Sequence, residues 1–477
     1  MANRQFSIVI LAAGKATRFK SERSKLLHSL AGRPLGEYVV RAGLEAGPEK
    51  ILMVIGHDAE AVREVLARPG VEFIQQKEQL GTGHALMVAR AQLKALKSST
   101  VVVVVGDAPL LRAETLQAFV DAHQKARAAL SVLTLRLEQP QGYGRIVHSK
   151  GARIRAIVEE KLCTAAQRTI REVSSGILCF SRPDLLKHLD QLSNKNAQRE
   201  YLLTDLVAIF NRRGKKVTGF PVEDPREVLG VNDRVQLALV ERILRVRKAE
   251  ALMRDGVTIV NPEATYIDAE VEVGNDTVIE PGVSLLGRSR VGRGCTIRAY
   301  STIADTTLGD GVLVRPCSVI TGCEIGSNVI IGPFAHLRDG AVVEQDARVG
   351  NFVEVKKSHI GRGTKAWHLT YLGDATLGRQ VNVGAGTVTC NYDGKKKNAT
   401  VIEDGVFIGS GTMLVAPVRI GQGSYVAAGS AITEDVPAES LALGRARQVN
   451  KDGWVRKHKE EEEKSGAGPA DQESSKP

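Results

Sequence analysis

Asp107 follows a run of five valines, 101 to 105, by two residues. A carboxylate at the C-terminal edge of a buried strand can hold a hard divalent cation through oxygen. A second apolar run, 6 to 11, leads into Leu11-Ala12-Ala13-Gly14, with Arg18 and Lys25 further on. A tight loop of small residues lets backbone N–H groups approach phosphate oxygens, and the two cations can neutralise the phosphate charge. This is not a Walker loop, whose lysine directly follows the final glycine. Far downstream, Lys365 to Asp374 places His368 between the aliphatic positions Ala366 and Leu372. A histidine that faces outward there titrates near neutral pH and suits a general base.

The elements that must position these groups differ between the two halves. Residues 1 to about 226 alternate short aliphatic runs with helical patterns. The runs 6 to 11, 51 to 55 and 101 to 105 read as central strands of a parallel sheet in an α/β, Rossmann-like layout. From Val273 an aliphatic recurs every six residues through Ile279, Leu285, Val291, Ile297 and Ile303. The beat slips to a step of five at Leu308, slips again at Ile325, and runs on to Ile432, with an interruption between Val383 and Ile402. A period of six is neither helical nor alternating; it suits a solenoid of triangular coils, each with three short strands. Glycines that follow the aliphatics, as in Val273-Gly274 and Ile331-Gly332, are expected to turn the corners at positive φ.

Composition narrows the class. A chain of 477 residues is too long for one core. The net charge of +11 is spread along the chain without a nucleic-acid-binding signature, which favours anionic small molecules as partners over nucleic acid. The six cysteines show no C-x-x-C pair and read as reduced, mostly buried thiols. No run approaches the roughly 20 apolar residues of a membrane span. The first residues lack the length and cleavage site of a signal peptide, so a cytoplasmic location without membrane association is expected.

The first loop resembles the L-A-A-G-x-G-T-R-M signature of sugar-phosphate nucleotidyltransferases, and three further segments agree with it. Gln75 to Ala85, with Gln76, Gly81 and Thr82, is similar to the uridine-recognition stretch of the uridylyl-transferring branch. Gly106-Asp107-Ala108-Pro109-Leu110 resembles the G-D-x-P-L metal site, and Gly230-Val231-Asn232 resembles the second metal position. The resemblance implies Mg²⁺ on Asp107 and Asn232, with UTP and its product on Leu11, Ala12, Ala13, Gly14, Arg18, Lys25, Gln76, Gly81, Thr82 and Asn232. Gly142-Tyr143-Gly144-Arg145 and Val158-Glu159-Glu160-Lys161 resemble the acetamido-sugar loops, which assigns Gly144 and Glu159 to the sugar. Where that family carries an Asn in N-T-G, this chain has Ser174-Ser175-Gly176; Ala16 stands for a loop glycine, and Arg23-Ser24 for a Leu-Pro. A serine hydroxyl is shorter, so its contact to the sugar is expected to pass through water.

The second half resembles a hexapeptide-repeat acetyltransferase with a left-handed parallel β-helix. By that resemblance His368 is the base, and Arg338, Lys356, Tyr371, Asn382 and Lys397 bind glucosamine phosphate. Asn391 and Tyr392 line the transfer site, Ser410 lies beside the thioester, and Ala385, Ala428 and Arg445 contact acetyl-CoA. Basic residues in this set fit a sugar phosphate and an anionic cofactor.

Together the halves resemble the bifunctional family that joins N-acetylglucosamine-1-phosphate uridylyltransferase to glucosamine-1-phosphate N-acetyltransferase. Acetyl-CoA and UTP are the implied co-substrates, Mg²⁺ the metal, and a homotrimer the implied assembly. The expected organisation is a nucleotidyltransferase domain over 1–226, a linker helix over 227–256, the β-helix over 257–455 and a disordered tail over 456–477. Two other readings remain: a monofunctional sugar-1-phosphate nucleotidyltransferase whose solenoid only trimerises, and a non-catalytic regulatory subunit that keeps both folds.

Overall fold

A computed structural model describes residues 5–149, 153–196 and 198–465. The chain forms two compact units, 1–307 and 308–477. The first contains the α/β region and the opening coils of the solenoid.

The α/β region is built on strands β1 (Phe6–Ala12), β2 (Ile51–Ile55), β3 (Val71–Gln75), β4 (Thr100–Val105), β5 (Leu130–Arg136), β6 (Arg145–His148), β7 (Ile154–Val158), β8 (Glu172–Ser181) and β9 (Val217–Pro221). The sheet order is β9-β5-β8-β4-β1-β2-β3, with the β6–β7 hairpin attached through β8. β1 pairs in parallel with β2 and β4. Side chains alternate across it: Phe6, Ile8 and Ile10 enter one core, and Val9 the other. Val102 and Val104 join the first of these cores, Val101 and Val103 the second. A strand covered on both faces therefore reads as an unbroken aliphatic run. β8 departs from the parallel expectation and runs antiparallel to both β4 and β5. The chain leaves β1 toward β2 on one side while β4 lies on the other. That reversal opens a crevice at the C-terminal ends of β1 and β4, where ligands of open α/β sheets bind.

The expected 227–256 helix is shorter, Arg234–Arg254. Asp233 caps it by accepting from the Gln236 N–H, so Gly230-Val231-Asn232 stays outside the helix and is free to line the crevice.

The coils are made of two- and three-residue strands in parallel register. Val273 aligns with Val291, Ile279 with Ile297 and Leu285 with Ile303, one coil being 18 residues. In the second unit Leu313 aligns with Ile330 and Val342 with His359, so the slips in the beat are coils one residue shorter. The beat aliphatics from Ile279 to Ile432 are buried. Glycine's role differs from expectation at many of these positions. A Cβ on Gly274 would meet the Arg293 nitrogen at 2.8 Å, and one on Gly409 would run into the Ala428 nitrogen. These glycines admit the next coil's backbone, while many positive-φ corners carry other residues, among them Asp276, Phe334, Phe352 and Leu369. The interruption is also narrower than expected. Thr389 is buried in register with Leu414, so only the segment from Asn391 leaves the prism, with a bridge between Tyr392 and Lys397.

The tail differs from expectation over its first residues. Trp454–Lys464 is a helix with no buried side chain, assisted by an Arg456–Glu460 pair at i, i+4. The rest of the expected tail, 466–477, lies outside the described residues. All six cysteines are free thiols.

Candidate active sites

In the first unit, a cleft of about 450 Å³ opens at the ends of β1 and β4. Leu11, Ala12, Ala13, Gly14, Lys25, Gln76, Gly81, Thr82 and Asp107 line it, together with Gln79, Val105 and Glu200, while Arg18 and Asn232 do not. No atom would lie within 4 Å of a Cβ on Gly14, so the loop faces open space. Ala16, where the resembling loop has glycine, sits at φ 48, the left-handed region that glycine occupies without strain. Gln76 is buried and donates from Nε2 to the Gly81 carbonyl at 3.3 Å, with His84 Nδ1 3.0 Å away. The Gly81 turn is seated on Tyr201, whose N–H donates to Leu80 O and whose carbonyl accepts from Gly83 N. Glu200 reaches the cleft through this seat, a contact across about 120 residues that spacing does not announce.

At the mouth of the cleft, cations and oxygen ligands meet. Lys25 Nζ donates to Asp107 Oδ2, and also to the Val231 carbonyl at 3.1 Å. Arg18 Nη2 donates to Asn232 Oδ1 at 2.9 Å. Asp107 and Asn232 flank Gly230, on which a Cβ would lie 3.5 Å from Asn232 Nδ2 and 3.8 Å from Asp107 Oδ1. One carboxylate and one amide oxygen fit a hard cation that keeps water and takes phosphate oxygens. Among the described residues no group of three acidic, histidine or cysteine side chains forms a complete metal cage.

Deeper along the sheet, Gly144, Glu159 and Ser174 come together. Ser174 N–H donates to Gly144 O at 2.8 Å, and a Cβ on Gly144 would lie 3.7 Å from Glu159 Oε2. Ser174 is buried and its hydroxyl accepts from Gly176 N–H at 3.2 Å. Burial pushes the Glu159 carboxyl above the usual carboxylate range, and Asp205 and Glu200 push the same way against a hydrogen bond from Thr204.

The second unit carries a separate site. His368 is exposed on strand Lys365–Gly373, and its Nδ1 lies 2.8 Å from Asn351 Oδ1. The amide oxygen is an acceptor only, so Nδ1 carries the proton and Nε2 keeps a free lone pair. Asn351 sits 17 residues earlier, in register with His368, so coil arithmetic could have located it. The chain turns at Leu369, and from there a column of backbone bonds climbs the solenoid. Leu369 O accepts from Gly386 N, Ala385 O from Gly411 N and Ser410 O from Gly429 N, at 2.7 to 2.8 Å. Ala385, Ser410 and Ala428 therefore rise in one line from the residue beside His368.

On the neighbouring face, Arg338, Lys356 and Gly373 align across successive coils. Lys356 lies beside Lys397, and this neighbouring cation lowers the Lys356 pKa. Asn391 donates to Asp374 Oδ2 at 2.6 Å and has the Tyr371 hydroxyl 3.5 Å away. Asp374, which sequence reasoning missed, joins this group. Arg338 is paired with Glu354 at 2.8 Å. Tyr392 is exposed on the excursion, and its hydroxyl donates to Gly394 O at 2.8 Å. Asn382 is not brought to this group: it aligns with Lys365 and Phe407, on the other side of the Leu369 corner. Arg445 is exposed beyond the last coil strand.

The comparisons with known proteins agree with this division. A family model for the MobA-like NTP transferase domain matches residues 8–207. A model for the bacterial transferase hexapeptide (six repeats) matches 270–305, 322–357 and 399–434, which identifies the coils as the left-handed hexapeptide kind. The Bifunctional protein GlmU of Geobacter metallireducens is 52% identical over 471 residues, covering 95% of this chain and 99% of its own. That of Koribacter versatilis is 46% identical over 466 residues, with coverage of 97% and 99%. That of Syntrophotalea carbinolica is 50% identical over 458 residues, with coverage of 96% and 98%. On matches of this extent, the chain belongs to the family of bifunctional GlmU proteins.

Proposed function

We propose that the chain makes UDP-N-acetylglucosamine in two steps, acetylating glucosamine 1-phosphate in its second unit and joining the product to UMP from UTP in its first. The observation that carries this reading is that one chain holds both an Asp107–Lys25–Arg18 cluster at a nucleotide-sized cleft and a tautomer-fixed His368 beside a cofactor-length column.

In the acetyl transfer, the sugar amine attacks the thioester carbonyl and must lose a proton. His368 Nε2 takes it, while the Nδ1–H held by Asn351 stabilises the imidazolium that forms. The C–S bond then breaks and the CoA thiolate leaves, taking up the proton that His368 Nε2 accepted, so the neutral imidazole is restored. Lys356, Lys397 and Arg338 hold the sugar phosphate, with Tyr371 and Asn391 beside them. Ala385, Ser410 and Ala428 are small, and leave room for the cofactor's arm along their column.

In the uridylyl transfer, a sugar phosphate oxygen attacks the α-phosphorus of UTP and pyrophosphate leaves in line. Gln76, Gly81 and Thr82 seat the uridine, and the Leu11–Gly14 loop presents backbone N–H groups to the phosphates. Asp107 and Asn232 would hold magnesium, which would supply charge neutralisation for the phosphates. Arg18 and Lys25 draw charge toward the leaving pyrophosphate, so the site works by positioning and electrostatics. Gly144, Glu159 and Ser174 hold the acceptor sugar.

The working assembly is a homotrimer in the cytoplasm. The separation of Asn382 from the Lys356–Lys397 group supports sites completed by a neighbouring copy. Among the described residues no helix is long and apolar enough to cross a membrane. The test is to incubate the protein with glucosamine 1-phosphate, acetyl-CoA, UTP and Mg²⁺, omitting each in turn. The sugar nucleotide should form only when all are present. Omitting UTP alone should stop the sequence at N-acetylglucosamine 1-phosphate. Sugar nucleotide formed without acetyl-CoA would favour the monofunctional reading, and no product from any mixture would favour the non-catalytic one.

A further inference from the structure

The two cations proposed to serve the triphosphate sit on the two oxygens expected to hold the metal. Lys25 Nζ occupies Asp107 Oδ2, and its second bond, to Val231 O at 3.1 Å, anchors it over the Gly230–Asn232 loop. Arg18 occupies Asn232 Oδ1 at 2.9 Å. The Lys25–Asp107 pair is largely shielded, with side chains 15% and 18% exposed, so water screens it weakly. A divalent cation entering this cradle alone meets an ammonium and a guanidinium already in its ligand positions.

We propose that Lys25 and Arg18 are placeholders for the metal. They hold Asp107 and Asn232 closed to a free divalent cation until a nucleoside triphosphate draws both cations onto its phosphates. The inference rests on the nucleotidyl-transfer reading of this cleft, and adds an order of assembly to it: nucleotide and metal enter together, and metal does not precede nucleotide. The physical reason is a balance of charges. Without nucleotide, Lys25 neutralises the single carboxylate, and the cradle offers a divalent ion no net negative charge. A triphosphate brings several negative charges, satisfies both cations, and returns the Asp107 carboxylate and the Asn232 amide oxygen to the metal. A water-filled cradle with free ligands would instead bind metal first and leave Lys25 and Arg18 pointed at solvent.

Binding of Mn²⁺ to the full-length protein, followed by the electron paramagnetic resonance signal of the free ion, reads this without turnover. Wild type, Lys25→Met, Lys25→Arg and Lys25→Met/Asp107→Asn are compared with and without UTP. Without nucleotide, Lys25→Met should bind Mn²⁺ at least about tenfold more tightly than wild type, the loss of one competing charge exceeding roughly 1.4 kcal/mol. Lys25→Arg should stay as weak as wild type, and the double variant should lose the gain. Equal or weaker Mn²⁺ binding by Lys25→Met overturns the placeholder role, provided wild type with UTP binds Mn²⁺. Failure of wild type to bind Mn²⁺ even with UTP overturns the nucleotidyl-transfer reading itself. A gain that survives in the double variant also overturns the proposal, because the new metal site is then not Asp107.

Discussion

His368 and Asn351 face each other across adjacent coils, with imidazole Nδ1 2.8 Å from the amide oxygen. Their register follows from a coil of 17 residues, so the imidazole is oriented by the repeat itself. His368→Ala should lower acetyl transfer by roughly 10²- to 10⁴-fold with little change in the Michaelis constant for acetyl-CoA. Asn351→Leu should lower kcat by a smaller factor, about tenfold, through loss of the preferred tautomer. Uridylyl transfer from supplied N-acetylglucosamine 1-phosphate should survive both changes. Steady-state assays of each half-reaction decide it; normal acetylation by His368→Ala would leave this residue as a surface histidine.

Asp107 is the one carboxylate of the proposed metal cradle, and its backbone carbonyl also accepts from Val231 N–H at 2.9 Å. Removing the side chain leaves that backbone bond in place. Asp107→Ala should abolish uridylyl transfer while acetyl transfer stays near wild type, since the second site lies in the other unit. Loss of both activities in parallel assays would signal misfolding, and retained uridylyl transfer would remove Asp107 from the metal.

Ser174 is buried beside Gly144, with a hydroxyl committed to Gly176 N–H. An asparagine there extends an amide toward the acceptor. Ser174→Asn should lower the Michaelis constant for N-acetylglucosamine 1-phosphate more than that for UTP. Equal effects on the two substrates, measured by pyrophosphate release, would place Ser174 outside the sugar site.

Glu159 is half-buried, and desolvation raises its pKa. A carboxyl whose folded pKa exceeds its unfolded value destabilises the fold above the raised pKa, and the penalty disappears as pH falls to the ordinary glutamate range. Glu159→Gln should therefore raise the melting temperature at neutral pH and leave it unchanged below about pH 4, where the unperturbed side chain is protonated. The same variant should bind the acceptor sugar more weakly. A melting temperature unchanged at neutral pH would mean that solvent relieves the carboxylate.

What could be read from the chain follows from how far each signal reaches. The valine run and the six-residue beat are local, and both elements stand where their spacing put them. Asp107, Lys25 and the Leu11–Gly14 loop converge because parallel strands bring their C-terminal ends to one edge, which strand order alone implies. Glu200 enters the cleft through Tyr201 and the Gly81 turn, and nothing in its neighbourhood marks that. The antiparallel β8 was equally hidden, since a buried strand has the same composition in either direction. Corner residues misled for a related reason. Spacing reveals where a coil turns, but whether glycine is there for φ or for the backbone above it depends on the next coil.

An acyl donor laid along the line from Leu369 through Ala385 and Ser410 to Ala428, as proposed, meets fixed steps. These steps are set by backbone hydrogen bonds between coils, each about 4.8 Å, so three steps span about 14 Å. Length along this line comes only in whole coils. A donor whose arm falls between two steps cannot be met by a small adjustment; the solenoid must gain or lose an entire turn, 17 or 18 residues where no segment leaves the prism. The repeat thus acts as a ruler with fixed graduations, and reach toward the thioester is inherited as an integer.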